Sequence, residues 1–358
     1  MLKKLDLYII GKFIGTYLLI LTLIIVIIII FDISEKIDDF VTKEAPLRKI
    51  IFNYYLTFIP FFINTFSSLF VFITVIFFTS KMAYNTEIIA ILSSGVSFMR
   101  LLYPFFISAA MIFLFSVSLN HFIIPPANKI RLEFESKYIK SPYQKKSMNL
   151  HLQVEPNIYM YISNFYPSVN RGSHFSLERF EGNVLKSKLI ADYAIYDSEK
   201  KVWKLNNYFI RELCDSSEII TKGSQLDTIV NFSAEELKQR DNVITSMNYF
   251  ELQANIKEQK MRGQNPNKAL LENHNRTSIP FSVFVLTLIG VSLSSRKIRG
   301  GIGMQIGIGI ALSFIYILLL RFSEVFIQVG VASPLVAAWI PNFLFAIIAI
   351  ALYIKAPK

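Results

Sequence analysis

The chain has one cysteine in 358 residues, Cys214, so no internal disulfide can brace it. It has no Gly-x-x-x-x-Gly-Lys-Ser/Thr loop, which excludes a phosphate cradle of its own and with it intrinsic ATP hydrolysis. Its four histidines, His121, His151, His174 and His274, fall in no metal-ligand spacing and beside no nucleophile, so neither a metal nor another cofactor is indicated. No Ala-x-Ala cleavage site follows the opening Met1-Leu2-Lys3-Lys4, and the apolar stretch behind it is too long for a signal peptide, so the first hydrophobic run reads as an uncleaved span. A formal charge of +11 invites a nucleic-acid reading, but no basic aromatic module or zinc spacing supports one. The plainer source of that charge is anchoring at a membrane face and contact with anionic lipid.

Charge is also missing over long stretches. Phe13 to Phe31 and Ile50 to Ser80 contain none, and Leu101 to Ile124 has only His121 as a titratable group. Thr277 to Ser295, Gly300 to Leu320 and Pro334 to Ile354 repeat the pattern after a polar middle. A bilayer core about 30 Å thick needs roughly 20 such residues in a helix. The chain therefore reads as an α-helical membrane protein with six spans and one large insert, and its mean hydropathy of +0.44 agrees. Residues 1–124 carry spans one to three, 125–276 the insert and a connecting helix, and 277–358 spans four to six.

Lys and Arg in the short loops set the orientation. With the N-terminus inside, the inner loops hold nine: Lys3, Lys4, Lys81, Arg100, Arg296, Lys297, Arg299, Lys355 and Lys358. The short outer loops hold four, Lys36, Lys43, Arg48 and Lys49, among five acids. Both termini then face the cytoplasm and the insert lies outside it.

The insert reads as strand. Ile158 to Ile162, Val184 to Tyr196 and Lys201 to Leu205 are short, apolar and separated by turn residues, and Leu226, Thr228, Val230 and Phe232 alternate against Gln225, Asp227, Ile229 and Asn231. An antiparallel sandwich or jelly roll is expected, open on one face or paired with another domain. Asn248 with Glu251 forms a capping-box pattern that opens a helix, which fades near Gly263-Gln264-Asn265-Pro266.

Few residues carry a chemical signal. Gly303-x-x-x-Gly307 in the fifth span reads as a close-packing device rather than a nucleotide loop. Arg321 and Glu324 stand three apart where that span reaches the outer leaflet. They can pair along one helical face, either as an interfacial anchor or with Arg321 at the mouth of a polar cavity. The loop between spans two and three holds a short amphipathic helix within residues 85–95. Asn85 can cap it, Glu87 suits its positive first turn, Gly95 can end it, and Ile88, Ile91 and Leu92 make one apolar stripe. Such a helix either lies in the lipid interface or docks in a partner's groove.

That loop, Asn85-Thr86-Glu87-Ile88 through Ser94-Gly95-Val96-Ser97, resembles the coupling-helix signature of the LptF/LptG family of lipopolysaccharide export permeases. The likeness extends to Pro125-Pro126 at the end of the third run, the Asp-x-x-x-Lys-Val-Trp turn within Tyr193 to Leu205, and the last two spans. Phe31-Asp32 and the Arg-Gly-rich start of span five favour the LptG branch. The resemblance implies an ABC exporter subunit with a periplasmic antiparallel β-jellyroll-like domain between helices three and four. Its partners would be a second permease chain of the same type, a cytoplasmic ATPase dimer, a periplasmic jellyroll bridge and lipopolysaccharide itself. Glu87, Ile88, Ile91, Leu92 and Gly95 would couple it to the ATPase. Spans one and five would form lateral gates, with Lys36, Lys129, Arg131, Arg321 and Glu324 near substrate or gate. Enterobacterial members carry a basic residue at the outer end of span one; here Ile30-Phe31-Asp32 stands there and Lys36 is the nearest cation. Two other readings stay open. One is a lipoprotein-release or mechanotransmission permease, although such chains usually have four spans. The other is a membrane transferase, for which Asp32, Glu35, Asp38 and Asp39 are the one acidic cluster, otherwise a solvated loop.

Overall fold

A computed structural model describes residues 3–139, 147–166, 169–214, 217–230, 232, 241–296 and 301–356. Lys297, Arg299, Gly300, Asn231 and Lys358, which figure in the sequence reading, lie outside the described residues, as do Met1 and Leu2. The chain divides into a helical unit (Met1–Ile139, Thr245–Phe250 and Asn267–Lys358) and a second unit (Lys140–Ile244 and Glu251–Pro266).

The helical unit contains α1 (Lys4–Thr42), α2 (Leu56–Thr65), α3 (Ser67–Tyr84), α4 (Glu87–Ser93), α5 (Phe98–Ser118), α6 (Ile124–Tyr138), α9 (Asn267–Ser294), α10 (Gly301–Gln328) and α11 (Pro334–Lys355); α7 (Asp241–Ser246) and α8 (Tyr249–Met261) straddle the division. Among the described residues, six helical stretches are long and apolar enough to cross a bilayer. Three differ from the sequence reading. First, α1 runs on through Asp32, Glu35, Asp38 and Asp39, so that cluster is not a loop but the last turns of a 39-residue helix. It can stay helical because Asp32 pairs with Lys36 one turn on, the spacing at which side chains meet. Second, the long second run is two helices that break at Phe66 (φ −106°). Third, the helix of the third span does not stop at Pro125-Pro126. A π turn, Leu119–Ile123, leads directly into α6, so helical backbone continues to Tyr138. The prolines occupy the first turn of α6, where missing N–H groups are tolerated.

Proline also organises the bundle interior. Pro280 lacks the N–H that would bond the Arg276 carbonyl one turn earlier in α9. Asn120 of the π turn donates Nδ2–H to that carbonyl at 3.2 Å. Its Oδ1 accepts from Asn64 of α2 at 2.7 Å, and Ser116 donates to Asn64 Oδ1 at 2.6 Å. Asn342 of α11 serves the Ser278 carbonyl at 2.7 Å and accepts from Tyr316 of α10 at 3.1 Å. Backbone freed by a proline inside a membrane must be satisfied by neighbouring helices, and Asn120 does this for the Arg276 carbonyl.

Glycine allows the closest helix contacts, though not where spacing suggested. Gly303 and Gly307 have nothing within 4 Å of an added Cβ. Gly309 is the packed position in span five, since a Cβ there runs into Ile76 Cδ1 of α3, and at Gly290 of α9 it would lie 2.7 Å from Val75 Cγ1. A glycine-x-x-x-glycine spacing identifies a face that can pack, not the neighbour it packs on.

The second unit is an antiparallel sheet with β1 (Ser147–Glu155), β2 (Ile158–Tyr166), β3 (Arg171–Glu181), β4 (Val184–Asp197), β5 (Val202–Cys214) and β6 (Ser217–Thr228). As expected the sheet is antiparallel, and its described strands lie side by side in chain order. Each strand has a residue that drops out of the pairing along one line across the sheet: Asn149, Ser163, His174, Asp192, Asn207 and Ser224. Three of them, on alternate strands, have left-handed backbone: Asn149 (φ 52°), His174 (φ 50°) and Asn207 (φ 52°). The residues of this line lie opposite one another and the register is the same on both sides of it, so the ladder is interrupted there without an inserted residue. They also shift the side-chain alternation by one. Met160 and Ile162 are buried before the line and Phe165 after it; Leu189 and Ala191 give way to Ala194 and Tyr196. One apolar face is thereby kept across the crease. Trp203, fully buried, lies at its centre, 5.2 Å from Tyr196 and 5.9 Å from Phe175, and donates Nε1–H to the Phe232 carbonyl at 2.9 Å. The β4–β5 turn is fixed by Asp197. Lys204 at 2.7 Å and the N–H groups of Lys200 and Glu199 hold its carboxyl below the ordinary carboxylate range.

The crease makes a testable demand. Left-handed backbone costs an L-residue about 1–2 kcal/mol, more for a β-branched one, and glycine nothing. His174→Val is expected to destabilise the β-domain by roughly 2 kcal/mol and His174→Gly to leave it within about 0.5 kcal/mol, measured as protease resistance of the domain in the purified protein. Equal sensitivity of the two variants would remove the backbone argument.

Candidate functional site

The short helix α4 stands between spans two and three, as its sequence foretold, but its start and its orientation differ. Thr86, in left-handed conformation (φ 62°), is the residue before it, and its side chain makes no capping bond. Asn85 instead donates Nδ2–H to Glu87 Oε1 at 3.3 Å. Gly95 (φ 85°) ends the helix as expected, its N–H reaching the Leu92 carbonyl at 3.0 Å. Ser97 then caps span three, its hydroxyl accepting from the Arg100 N–H at 3.3 Å.

The apolar stripe faces inward. Ile88 is 1% exposed and belongs to the core cluster that holds Ile9, Phe13, Met82, Phe98 and Leu101, with Ile91 and Leu92 packed against it. Ile88 seats the helix on its own bundle, while Ile91 and Leu92 remain partly exposed. Tyr84, Ile89 (52% exposed) and Ser93 point away. Glu87 is half-buried, and its Oε2 accepts from the Tyr8 hydroxyl of α1 at 3.2 Å.

The cations expected near substrate divide into two sets. Lys36 is turned into the chain, bonded to Asp32 and Tyr54 and 4.9 Å from the Tyr54 ring, and Tyr55 donates to Asp32 at 3.1 Å. Arg131 is 5% exposed, stacked 4.4 Å from Phe61 and 3.4 Å from Glu135. Both act within the chain, as braces among α1, α2 and α6. Lys129 lies on the exposed side of α6. Arg321 does pair with Glu324, at 3.1 Å, and stands 66% exposed on span five. A buried arginine that the sequence reading missed, Arg276, reaches Glu272 at 3.2 Å and the Met247 carbonyl at 2.8 Å. Its signal was a charge one residue before an apolar run that contains a proline.

Spans one and five are the least covered. In the most apolar window of span one 17% of residues are buried, and in span five 22%, against 72% and 67% in spans two and four. The bare face of span one includes an open apolar patch of Leu18, Leu19, Thr22, Leu23, Val26 and Ile27.

A family model described as lipopolysaccharide export system permease LptF/LptG matches residues 7–355, nearly the whole chain. No individually curated protein matches.

Proposed function

The chain belongs to the LptF/LptG family of lipopolysaccharide export permeases, and we propose that it is the LptG-like half of a heterodimeric permease driven by a separate cytoplasmic ATPase dimer. The observation that carries this is the family match from span one to span six, with α4 in the loop where a coupling helix belongs. In this reading the protein sits in the inner membrane with both termini in the cytoplasm. The second permease covers spans one and five. Their bare apolar faces, the open Gly303 and Gly307 and the patch at Leu18 to Ile27 support that placement. Lipopolysaccharide enters the cavity between the two chains, where Lys129 and Arg321 are the exposed cations suited to its phosphates. The β-domain, on the periplasmic side, passes the lipid to a bridge of similar domains toward the outer membrane. ATP binding and hydrolysis occur on the partner. The ATPase meets Tyr84, Ile89 and Ser93, with Glu87 and Gly95 setting the position of α4. A lipoprotein-release permease gains no support, because six spans are present rather than four.

The test is purification from native membranes in mild detergent. An ATPase and a second six-span chain should co-elute with this one, and mass spectrometry of the retained lipid should find lipid A with its sugars. Recovery of the chain alone, with phospholipid only, would refute the assignment.

A further inference from the structure

The helical unit links α4 to the first turns of span one by side chains that the permease reading leaves without a role. Tyr8 is on the third residue of a stretch, Asp6 to Tyr8, that is tied on both sides. Its hydroxyl donates to Glu87 Oε2 at 3.2 Å. Asp6, 1% exposed, takes both guanidinium nitrogens of Arg100, Nη1 to Oδ1 at 2.7 Å and Nη2 to Oδ2 at 2.6 Å. It also accepts the Lys3 N–H at 2.7 Å, which closes the start of α1. Arg100 in turn sits in the first turn of span three, three residues after the loop that contains α4, and its backbone N–H is held by Ser97. Beneath these polar contacts Ile88 shares one buried cluster with Ile9 and Phe13 of α1 and with Phe98 and Leu101 of α5.

A bidentate arginine–carboxylate pair has a fixed mutual orientation, which a single hydrogen bond lacks. The pair therefore behaves as a pivot joining spans one and three. The Tyr8–Glu87 bond is single, long and at the surface, so it can follow a movement of α4 without defining the fold. We propose that Tyr8 is a positioning residue that carries displacement of α4 into span one, with the Asp6–Arg100 pair as the pivot about which that end of the helix turns. Span one is the natural receiver. Its inner end is seated in the bundle by Ile9 and Phe13, while its most apolar window is little buried within the chain, so displacement of the seated end is passed to a length that has few internal contacts to resist it. The inference rests on the reading of α4 as the ATPase contact, and it adds the path by which closure of that partner reaches the membrane part.

The experiment uses the complete complex in proteoliposomes, measuring ATPase association, ATP hydrolysis and lipopolysaccharide released per ATP. Tyr8→Phe keeps the ring and removes only the hydroxyl. It is expected to leave ATPase association within about twofold of the parent and to lower lipid released per ATP by roughly three- to tenfold, from losing one hydrogen bond to a carboxylate. Asp6→Asn should lower the same ratio. Combined with Tyr8→Phe it should lower it less than the product of the two single effects, since both act on one path. An unchanged ratio in Tyr8→Phe overturns the proposal. So does a loss of ATPase association in that variant, which would make Tyr8 part of the docking surface. Failure of the ATPase to associate with the unmodified chain would instead refute the permease reading itself, so the two failures are distinguishable.

Discussion

Ile89→Glu is expected to detach the ATPase partner while leaving the membrane bundle folded. Ile89 is half exposed on the face of α4 that points away from the chain, whereas Ile88, the next residue back, is 1% exposed in the core. A carboxylate in an apolar docking surface is left desolvated and without a partner, a cost of several kcal/mol and hence a loss of association of at least about a hundredfold. Ile88→Ala should behave oppositely. Deleting those methyl groups from a packed core costs about 2–4 kcal/mol, so the variant should melt earlier, yet whatever folds should still bind the ATPase. Co-purification and thermal unfolding of the two variants read these outcomes. If Ile88→Ala loses the partner and Ile89→Glu keeps it, α4 must turn over on binding and the outward face is misassigned.

Trp203→Ala is expected to unfold the β-domain. The indole is fully buried, contacts Phe175 and Tyr196, and its N–H bonds a carbonyl at 2.9 Å. Removing it costs about 3–5 kcal/mol and is large against a domain stability of about 5–15 kcal/mol. Spans in a bilayer are held by helix packing, so the membrane complex and its ATPase should still assemble. Delivery of lipid to the periplasmic bridge should be lost, and proteolysis should cut the insert first. Full transport by a chain with a proteolysed insert would show that the domain has no part in transfer.

Much of the fold was legible because hydrophobic length is a direct consequence of bilayer thickness. All six spans follow from uncharged runs, and β2, β4 and the helix after Asn248 follow from alternation and a capping pattern. What was missed shares a cause: it depends on a neighbour. Asp32, Glu35, Asp38 and Asp39 resemble a loop until Lys36, Tyr54 and Tyr55 are seen to engage Asp32. Spacing placed Ile88, Ile91 and Leu92 on one face but could not say whether that face looks inward or outward. Gly309 packs on its own chain and Gly303 is left open because Ile76 lies beside only one of them. The crease is the clearest case. Asn149, His174 and Asn207 are ordinary polar residues in the sequence, and their common line exists only once five strand pairs are in register. Lys36 and Arg131 have the charge a lipid phosphate needs, but their own chain already uses it.

The central claim is that this chain moves lipopolysaccharide with energy supplied through α4 by another protein. The most direct test places the purified permease pair and its ATPase in proteoliposomes containing lipopolysaccharide and follows lipid reaching a soluble jellyroll acceptor. Transfer should require ATP, stop with Ile89→Glu in this chain, and continue with a conservative change at an exposed site elsewhere. Transfer that proceeds at the same rate without ATP, or with Ile89→Glu, would contradict the account.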